Sequence, residues 1–202
     1  MIVVRAETSA AMEELGRRVA RIARAGDIVT LTGPLGAGKT TFARGVGEEL
    51  GVRGPVQSPT FVLARTHPSL VGGPELVHVD AYRLGDPREL DDLDLDFAAS
   101  VTLVEWGRDA VAHVSREWLD IEIQRPTAGG AGAAGVAGAA DSAASAAAAG
   151  AADSNQGDAD ADADADADEL DEPRTVTLRP VGPRWTTPEA LAALAALAAP
   201  TR

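Results

Sequence analysis

The segment GPLGAGKT, Gly33 to Thr40, restricts the fold of this chain more than any other part of its sequence. It has the form G-x-x-x-x-G-K-T and lies between a β-branched run, Asp27–Thr32, and a helical pattern that begins at Lys39. Glycines let the backbone N–H groups of such a loop approach phosphates, and the start of a helix adds partial positive charge. Strand, loop and helix therefore predict a phosphate-binding loop in a layered α/β sheet.

Lys39 is the only lysine in the chain, since 17 of the 18 Lys and Arg residues are arginines. A compact ammonium on a slim stem can reach between the β- and γ-phosphates of a nucleotide, whereas a broad guanidinium does not reproduce this contact. We expect the backbone near Gly33, Gly36 and Gly38 to surround the phosphates. The hydroxyl of Thr40 is then expected to bind Mg²⁺.

Missing motifs narrow the class of nucleotide. GTPases that recognise guanine use an Asn-Lys-x-Asp motif, which this chain cannot contain because its single lysine belongs to the loop. An LSGGQ-like signature of transporter ATPases is also missing from the sequence. Adenine nucleotides are therefore favoured by elimination.

Two acidic residues end apolar runs that read as strands, Asp80 in HVDAYR and Glu105 in VEWG. At the same sheet edge as the loop, one carboxylate would suit a metal ligand and the other a group that orients the attacking water. Taken singly, each could equally be a strand-end charge that faces solvent. Together with the loop, they favour a catalytic site.

The acidity of the chain is concentrated in one segment. Residues 127–172 hold 11 of the 31 acidic residues and no Lys or Arg, which leaves 20 acids against 18 bases elsewhere. The segment is rich in Ala, Gly and alternating Asp, so it is predicted to be disordered because it cannot bury enough apolar surface. A calcium-collecting tail or an interaction arm is a less favoured alternative.

The runs on either side of this segment, Trp118–Gln124 and Arg174–Pro180, alternate apolar and polar residues at the period of a strand. They are predicted to pair as a hairpin that carries the segment as an insertion. The expected organisation is an ATPase domain over 1–126, a disordered insertion over 127–172, and a strand and helix over 173–202 that complete the same domain.

The remaining patterns predict strands at Ser58–His67 and Glu75–Leu84 and a helix that begins near Thr8. The chain has no cysteine, which excludes disulfides and thiolate metal sites. Neither a signal peptide nor a membrane span is predicted, and the expected compartment is the cytoplasm.

Four stretches in this order and spacing resemble the TsaE (YjeE) family: LTGPLGAGKTTFARG, SPTF, HVDAYRL and LVEWG. This resemblance covers about residues 6–125. It implies a small α/β P-loop NTPase fold with a mixed sheet flanked by helices. It further implies an ATPase that works with the TsaB and TsaD proteins to place threonylcarbamoyl on adenosine 37 of tRNA, so that tRNA is contacted indirectly.

The resemblance also implies roles for individual residues. Residues from Gly36 to Thr41, among them Ala37, would hold the phosphates, and Thr40 with Glu105 would bind Mg²⁺. Asp80 would be a catalytic carboxylate or a further group around the metal, and the sequence leaves open which acid orients water. The other implied residues are Thr60 as a switch threonine that senses the γ-phosphate, and Ser9, Trp106 and Arg174 at the border of the nucleotide.

Two other functions stay open from the sequence. A small nucleotide or metabolite kinase would need an arginine-bearing lid, for which Arg83 and Arg88 are candidates. A nucleotide-gated binding module would use ATP only to set its affinity for TsaB–TsaD.

Overall fold

The computed structural model describes residues 1–59, 61–126 and 172–199. The strands are β1 (Ile2–Ala6), β2 (Ile28–Thr32), β3 (Ala64–His67), β4 (Glu75–Asp80), β5 (Ser100–Glu105), β6 (Trp118–Gln124) and β7 (Arg174–Val181). The α-helices are α1 (Ser9–Ile22), α2 (Lys39–Glu49), α3 (Arg108–Val114), α4 (Pro183–Thr186) and α5 (Pro188–Ala196). Two 3-10 helices, Ala81–Arg83 and Pro87–Leu93, follow β4.

All seven strands belong to one mixed sheet in the order β1-β7-β6-β2-β5-β4-β3. Strands β6, β2, β5 and β4 run parallel to one another, and β7 and β3 run antiparallel to them. At the edge, β1 pairs antiparallel with β7 and so runs in the same direction as the four central strands. The predicted mixed α/β sheet flanked by helices is confirmed. The carboxyl ends of β2, β4 and β5 meet at one edge of the sheet, where open α/β sheets bind their ligands.

Helices cover both faces of the sheet. Met12 and Leu15 of α1 and Phe42 of α2 pack with Leu31 and Leu103 on one face. The other face has its own cluster, in which Val77, Val79 and Val104 pack against Val111 of α3 and Leu90 of the second 3-10 helix. The central strands are therefore buried on both sides, as their continuous β-branched runs predict.

Helices α1 and α2 approach each other closely at two glycines. A Cβ at Gly16 would overlap the carbonyl oxygen of Phe42, and a Cβ at Gly45 would overlap that of Glu13. The helix that follows the phosphate-binding loop is thus packed directly against α1, backbone to backbone.

The C-terminal helices are attached to the sheet through a buried ion pair. Arg184 of α4 donates to both carboxylate oxygens of Asp27, from Nε at 3.0 Å and from Nη2 at 2.8 Å. The Asp27 side chain is 5% exposed and that of Arg184 13%. This pair fixes α4 beside the start of β2.

The predicted hairpin is confirmed, because β6 and β7 pair antiparallel from Trp118–Val181 to Gln124–Thr175. Disorder was predicted for residues 127–172, of which 127–171 lie outside the described residues. Along the described chain, no helix is both long and apolar enough to span a membrane.

The predicted strand Ser58–His67 is wrong in its first part, because strand structure begins only at Ala64. Before it, the Val62 amide donates to the Pro59 carbonyl in a turn, and Leu63 has a φ of 63°. A left-handed residue interrupts an extended strand. The predicted strand at Glu75–Leu84 likewise ends early, at Asp80, whose carboxylate caps the first 3-10 helix.

Candidate nucleotide-binding site

The GPLGAGKT segment connects the carboxyl end of β2 to the first residue of α2. Gly36 and Gly38 adopt φ values of 70° and 103°, in the left-handed region where glycine carries no steric penalty. A Cβ at Gly33 would come within 2.5 Å of the Ile123 carbonyl oxygen on β6. These glycines are therefore required by the path of the loop, which curves around the start of α2.

Lys39, the first residue of α2, extends its side chain back under this loop. Its ammonium donates to the carbonyl oxygens of Gly33 at 3.0 Å and Pro34 at 3.3 Å, and the residue is 8% exposed. Burial lowers the pKa of this ammonium, while the charges of Glu105 and Asp80 oppose the shift. A buried cation is thus held where a phosphate-binding loop needs one.

The two predicted carboxylates end neighbouring parallel strands. Asp80 of β4 is paired in register with Glu105 of β5, and each residue is 4% exposed. Oε2 of Glu105 lies 3.9 Å from the Lys39 ammonium. The structure therefore brings together three charged residues that the sequence separates widely.

Glu105 has a second buried neighbour that sequence reasoning missed. Its Oε1 lies 2.9 Å from Nε2 of His78, an imidazole that is fully buried on β4. The only sequence signal was the position of His78 two residues before Asp80, which puts both side chains on the same face of the strand.

Trp106 follows Glu105 and turns the chain away from β5. Its φ of 61° is unusual for a residue with a Cβ, and its amide donates to the Leu31 carbonyl of β2 at 2.9 Å. The indole ring lies 4.8 Å from the Lys39 ammonium and 6.0 Å from the ring of Tyr82. Trp106 therefore lies beside Lys39 and is 40% exposed.

Arg174, at the start of β7, is almost fully buried and reaches the phosphate-binding loop. Its Nη2 is 3.5 Å from the carbonyl oxygen of Gly36, and its Nη1 donates to the Glu172 carbonyl at 2.7 Å. The structure thus places this second cation at the loop, although Arg174 is 138 positions after Gly36 in the sequence.

The other predicted residues differ in how the structure places them. Thr40 lies half-buried in the first turn of α2. Ala37 in the loop before the helix and Thr41 in the helix are buried. Ser9 is the first residue of α1, and within the described residues it has no hydrogen bond to the loop. Thr60 lies outside the described residues.

The oxygen donors of the site fit Mg²⁺. The hydroxyl of Thr40 and the carboxylates of Glu105 and Asp80 are hard ligands of the kind this ion prefers. In the parts of the chain that the structure describes, no cluster of three or more His, Cys, Asp or Glu side chains could hold a metal alone. Mg²⁺ is usually bound by one or two carboxylates together with water and substrate phosphates, so a small protein donor set suffices.

A glycine loop between β2 and α2, with acidic residues at the ends of β4 and β5, defines an α/β protein of the P-loop NTPase fold. A family model described as "Threonylcarbamoyl adenosine biosynthesis protein TsaE" matches residues 6–131. The chain belongs to this family, which is involved in tRNA threonylcarbamoyladenosine biosynthesis. The predicted resemblance is confirmed.

Relatives of the family match about half of the chain. The tRNA threonylcarbamoyladenosine biosynthesis protein TsaE of Streptomyces coelicolor is 60% identical over 117 residues, which cover 56% of this chain and 79% of that protein. The protein of the same name from Mycobacterium leprae is 47% identical over 120 residues, or 55% of this chain and 74% of the relative. The protein of the same name from Bacillus subtilis is 40% identical over 114 residues, which cover 55% of this chain and 70% of that protein.

A solved structure has the same architecture. The crystal structure of YdiB from Bacillus subtilis aligns with a TM-score of 0.60 over 96% of this chain and 93% of that chain, at 24% identity. This likeness supports the fold.

Proposed function

We propose that the protein is the Mg²⁺-dependent ATP-binding and ATP-hydrolysing component of the tRNA threonylcarbamoyladenosine machinery, acting with TsaB and TsaD in the cytoplasm. The observation that carries the proposal is the buried Lys39 ammonium between the phosphate-binding loop and the carboxylate of Glu105. A buried cation and two buried acids at the end of a glycine loop form an arrangement suited to phosphoryl chemistry.

In this proposal each side chain has a distinct task. Lys39 and the loop amides bind the β- and γ-phosphates and compensate the charge that develops during cleavage. Thr40 and Glu105 hold Mg²⁺, which supplies further compensation of phosphate charge. Asp80, whose Oδ1 already accepts a hydrogen bond from the Tyr82 amide at 3.1 Å, orients the attacking water.

The surface around the site supports a partner-dependent activity. Tyr82 and Trp106 are 74% and 40% exposed, and their ring centroids lie 6.0 Å apart next to Lys39. Large apolar side chains exposed together usually mark a surface that contacts another macromolecule. A TsaB–TsaD pair that covers these side chains would also exclude water from the nucleotide.

The test is steady-state ATP hydrolysis by the purified protein, with and without the TsaB–TsaD pair, and with Lys39→Ala as the blank. Slow hydrolysis that increases with the pair is the expected result. A hydrolysis rate that is unchanged by the pair but increases with a small phosphoryl acceptor would contradict the proposal.

A second assay separates hydrolysis from gating by bound nucleotide. Glu105→Gln is expected to bind ATP but to support only a single turnover of tRNA modification. Full multiple-turnover modification by this variant would show that binding alone is sufficient and that hydrolysis is incidental.

A further inference from the structure

The carboxylate of Glu105 is held from two sides. Oε1 faces Nε2 of His78 at 2.9 Å, and Oε2 faces the Lys39 ammonium at 3.9 Å. The glutamate side chain has several rotatable bonds and, without such contacts, would populate several rotamers. These contacts restrict it to one orientation.

The contact from His78 is a directed hydrogen bond. His78 is fully buried, and its other ring nitrogen, Nδ1, has no hydrogen-bond partner among the described residues. An ionised carboxylate can only accept hydrogen bonds, so at this distance the ring proton belongs on Nε2, where Glu105 accepts it. The imidazole therefore acts as a hydrogen-bond donor to Glu105.

The fold determines this geometry independently of the phosphate-binding loop. His78 and Asp80 lie on one face of β4, and Asp80 is in register with Glu105 on the adjacent parallel strand β5. His78 thus approaches the carboxylate from within the sheet, on the side away from the strand ends. It can orient Glu105 without contacting a nucleotide.

We propose that His78 is a positioning residue that fixes the Glu105 carboxylate in the orientation required to bind Mg²⁺ with the nucleotide. This inference rests on the function proposed above, in which Glu105 holds the metal. Groups that hydrogen-bond to a metal-binding side chain orient it, and their loss typically costs about 10- to 100-fold in metal affinity or activity.

The test is calorimetric. The dissociation constant of a non-hydrolysable ATP analogue is measured with and without Mg²⁺, and the ratio of the two constants gives the Mg²⁺ coupling. His78→Leu removes the donor and is expected to reduce this coupling about 10-fold or more, with little change in Mg²⁺-free binding. His78→Gln is expected to retain most of it, since its amide N–H can occupy the place of Nε2.

His67 provides the matched control. It is a second buried histidine, 8% exposed, on the adjacent strand β3, and its Nε2 has no partner within the described ranges. His67→Leu makes the same chemical change in a similar environment and is expected to leave the coupling unchanged. Thermal unfolding of each variant verifies that it is folded. If His78→Leu does not fold, His78→Asn, whose shorter amide cannot reach Glu105, replaces it.

Several outcomes would overturn the inference. A folded His78→Leu protein with unchanged Mg²⁺ coupling would do so, as would an equal loss in His67→Leu or no rescue by glutamine. The double variant His78→Leu/Glu105→Gln should lose no more Mg²⁺ coupling than Glu105→Gln alone, because both changes act on one interaction. Failure of the unmodified protein to bind any adenine nucleotide would instead contradict the proposed function.

Discussion

The Lys39 ammonium lies in a narrow space between the carbonyl oxygens of the phosphate-binding loop and the indole ring of Trp106. Its Nζ is 3.0 Å from the Gly33 oxygen and 4.8 Å from the ring centroid. A guanidinium carries the same charge but is planar and wider. Because the residue is 8% exposed, the additional atoms would displace the loop or the ring.

We therefore predict that Lys39→Arg weakens ATP binding at least about tenfold, which corresponds to about 1.4 kcal/mol, even though the charge is retained. Isothermal titration calorimetry measures this loss, and chemical denaturation verifies that the variant is folded. Arg21→Lys is the control, because Arg21 pairs with Glu14 and Glu49 on an exposed helix surface. Equal ATP affinities of Lys39→Arg and the unmodified protein would contradict the prediction.

The sequence predicts residues whose role depends on local spacing. Lys39 could be predicted because its motif is continuous, and Asp80 and Glu105 because each ends a recognisable strand. His78 could not, since its partner lies 27 residues away and depends on the register of two strands. The roles predicted for these residues, as for Ser9 and Thr60, stay predictions.

At the scale of secondary-structure elements, the position of α2 depends on its contact with α1. The Glu13 backbone occupies the place that a Cβ at Gly45 would need. Backbone atoms within a helix cannot move aside as a flexible side chain can. The phosphate-binding loop joins directly to α2, so a displacement of this helix also moves the loop.

Gly45→Ala is accordingly expected to lower the free energy of unfolding by about 1–3 kcal/mol, the range found for overpacked interiors. Urea denaturation measures this change. Gly73→Ala is the matched control, since its nearest atom would be the Ser69 hydroxyl at 3.7 Å and its φ is not positive. A stability equal to that of the Gly73→Ala protein would show that the two helices separate without cost.

The attachment of α4 provides a second prediction at this scale. Removal of Arg184 leaves the buried Asp27 carboxylate without its bidentate partner, and breaking a buried pair costs about 3–5 kcal/mol. We expect Arg184→Ala to be destabilised by an amount near the lower end of that range. The control is Arg88→Ala, which breaks the exposed pair with Asp86 and should cost less than about 1 kcal/mol. Similar losses in the two variants would contradict this expectation.

Elements with a clear pattern could be predicted, whereas two other parts of the sheet could not. The alternation in β6 and β7 gave the hairpin, whereas β1 was not predicted because its five residues become a strand only by pairing with β7. At Ser58–His67 a β-branched and aromatic composition favoured a strand. The left-handed Leu63, which cannot be read from residue type, divides that segment.

At the scale of the whole molecule, residues from both sides of the acidic segment form one sheet. We predict that deletion of residues 128–171 leaves ATP affinity unchanged, because the described residues of the site lie outside this range. The deletion leaves Arg125, Pro126, Thr127, Glu172 and Pro173 between the strands, a connection of ordinary hairpin length. Shortening the loop about tenfold should leave stability equal or up to about 2 kcal/mol higher.

Calorimetry and urea denaturation measure the two effects of this deletion. A full-length variant in which the acidic residues of 128–171 are replaced by Asn and Gln distinguishes the effect of the negative charge from the effect of the loop length. A large loss of ATP affinity in either variant would contradict the prediction, and a loss in the deletion alone would assign the effect to chain length.

The β6–β7 hairpin opens beside the phosphate-binding loop. Ile123 lies against Gly33, and Arg174 contacts Gly36, so both strand ends border the loop. The chain contains no cysteine, and Gln124 is exposed at the end of β6. A dye attached through Gln124→Cys would thus be the only thiol-linked label on the protein and would lie next to the glycine loop, which makes this hairpin a convenient place for an optical sensor of the proposed ATP binding and release.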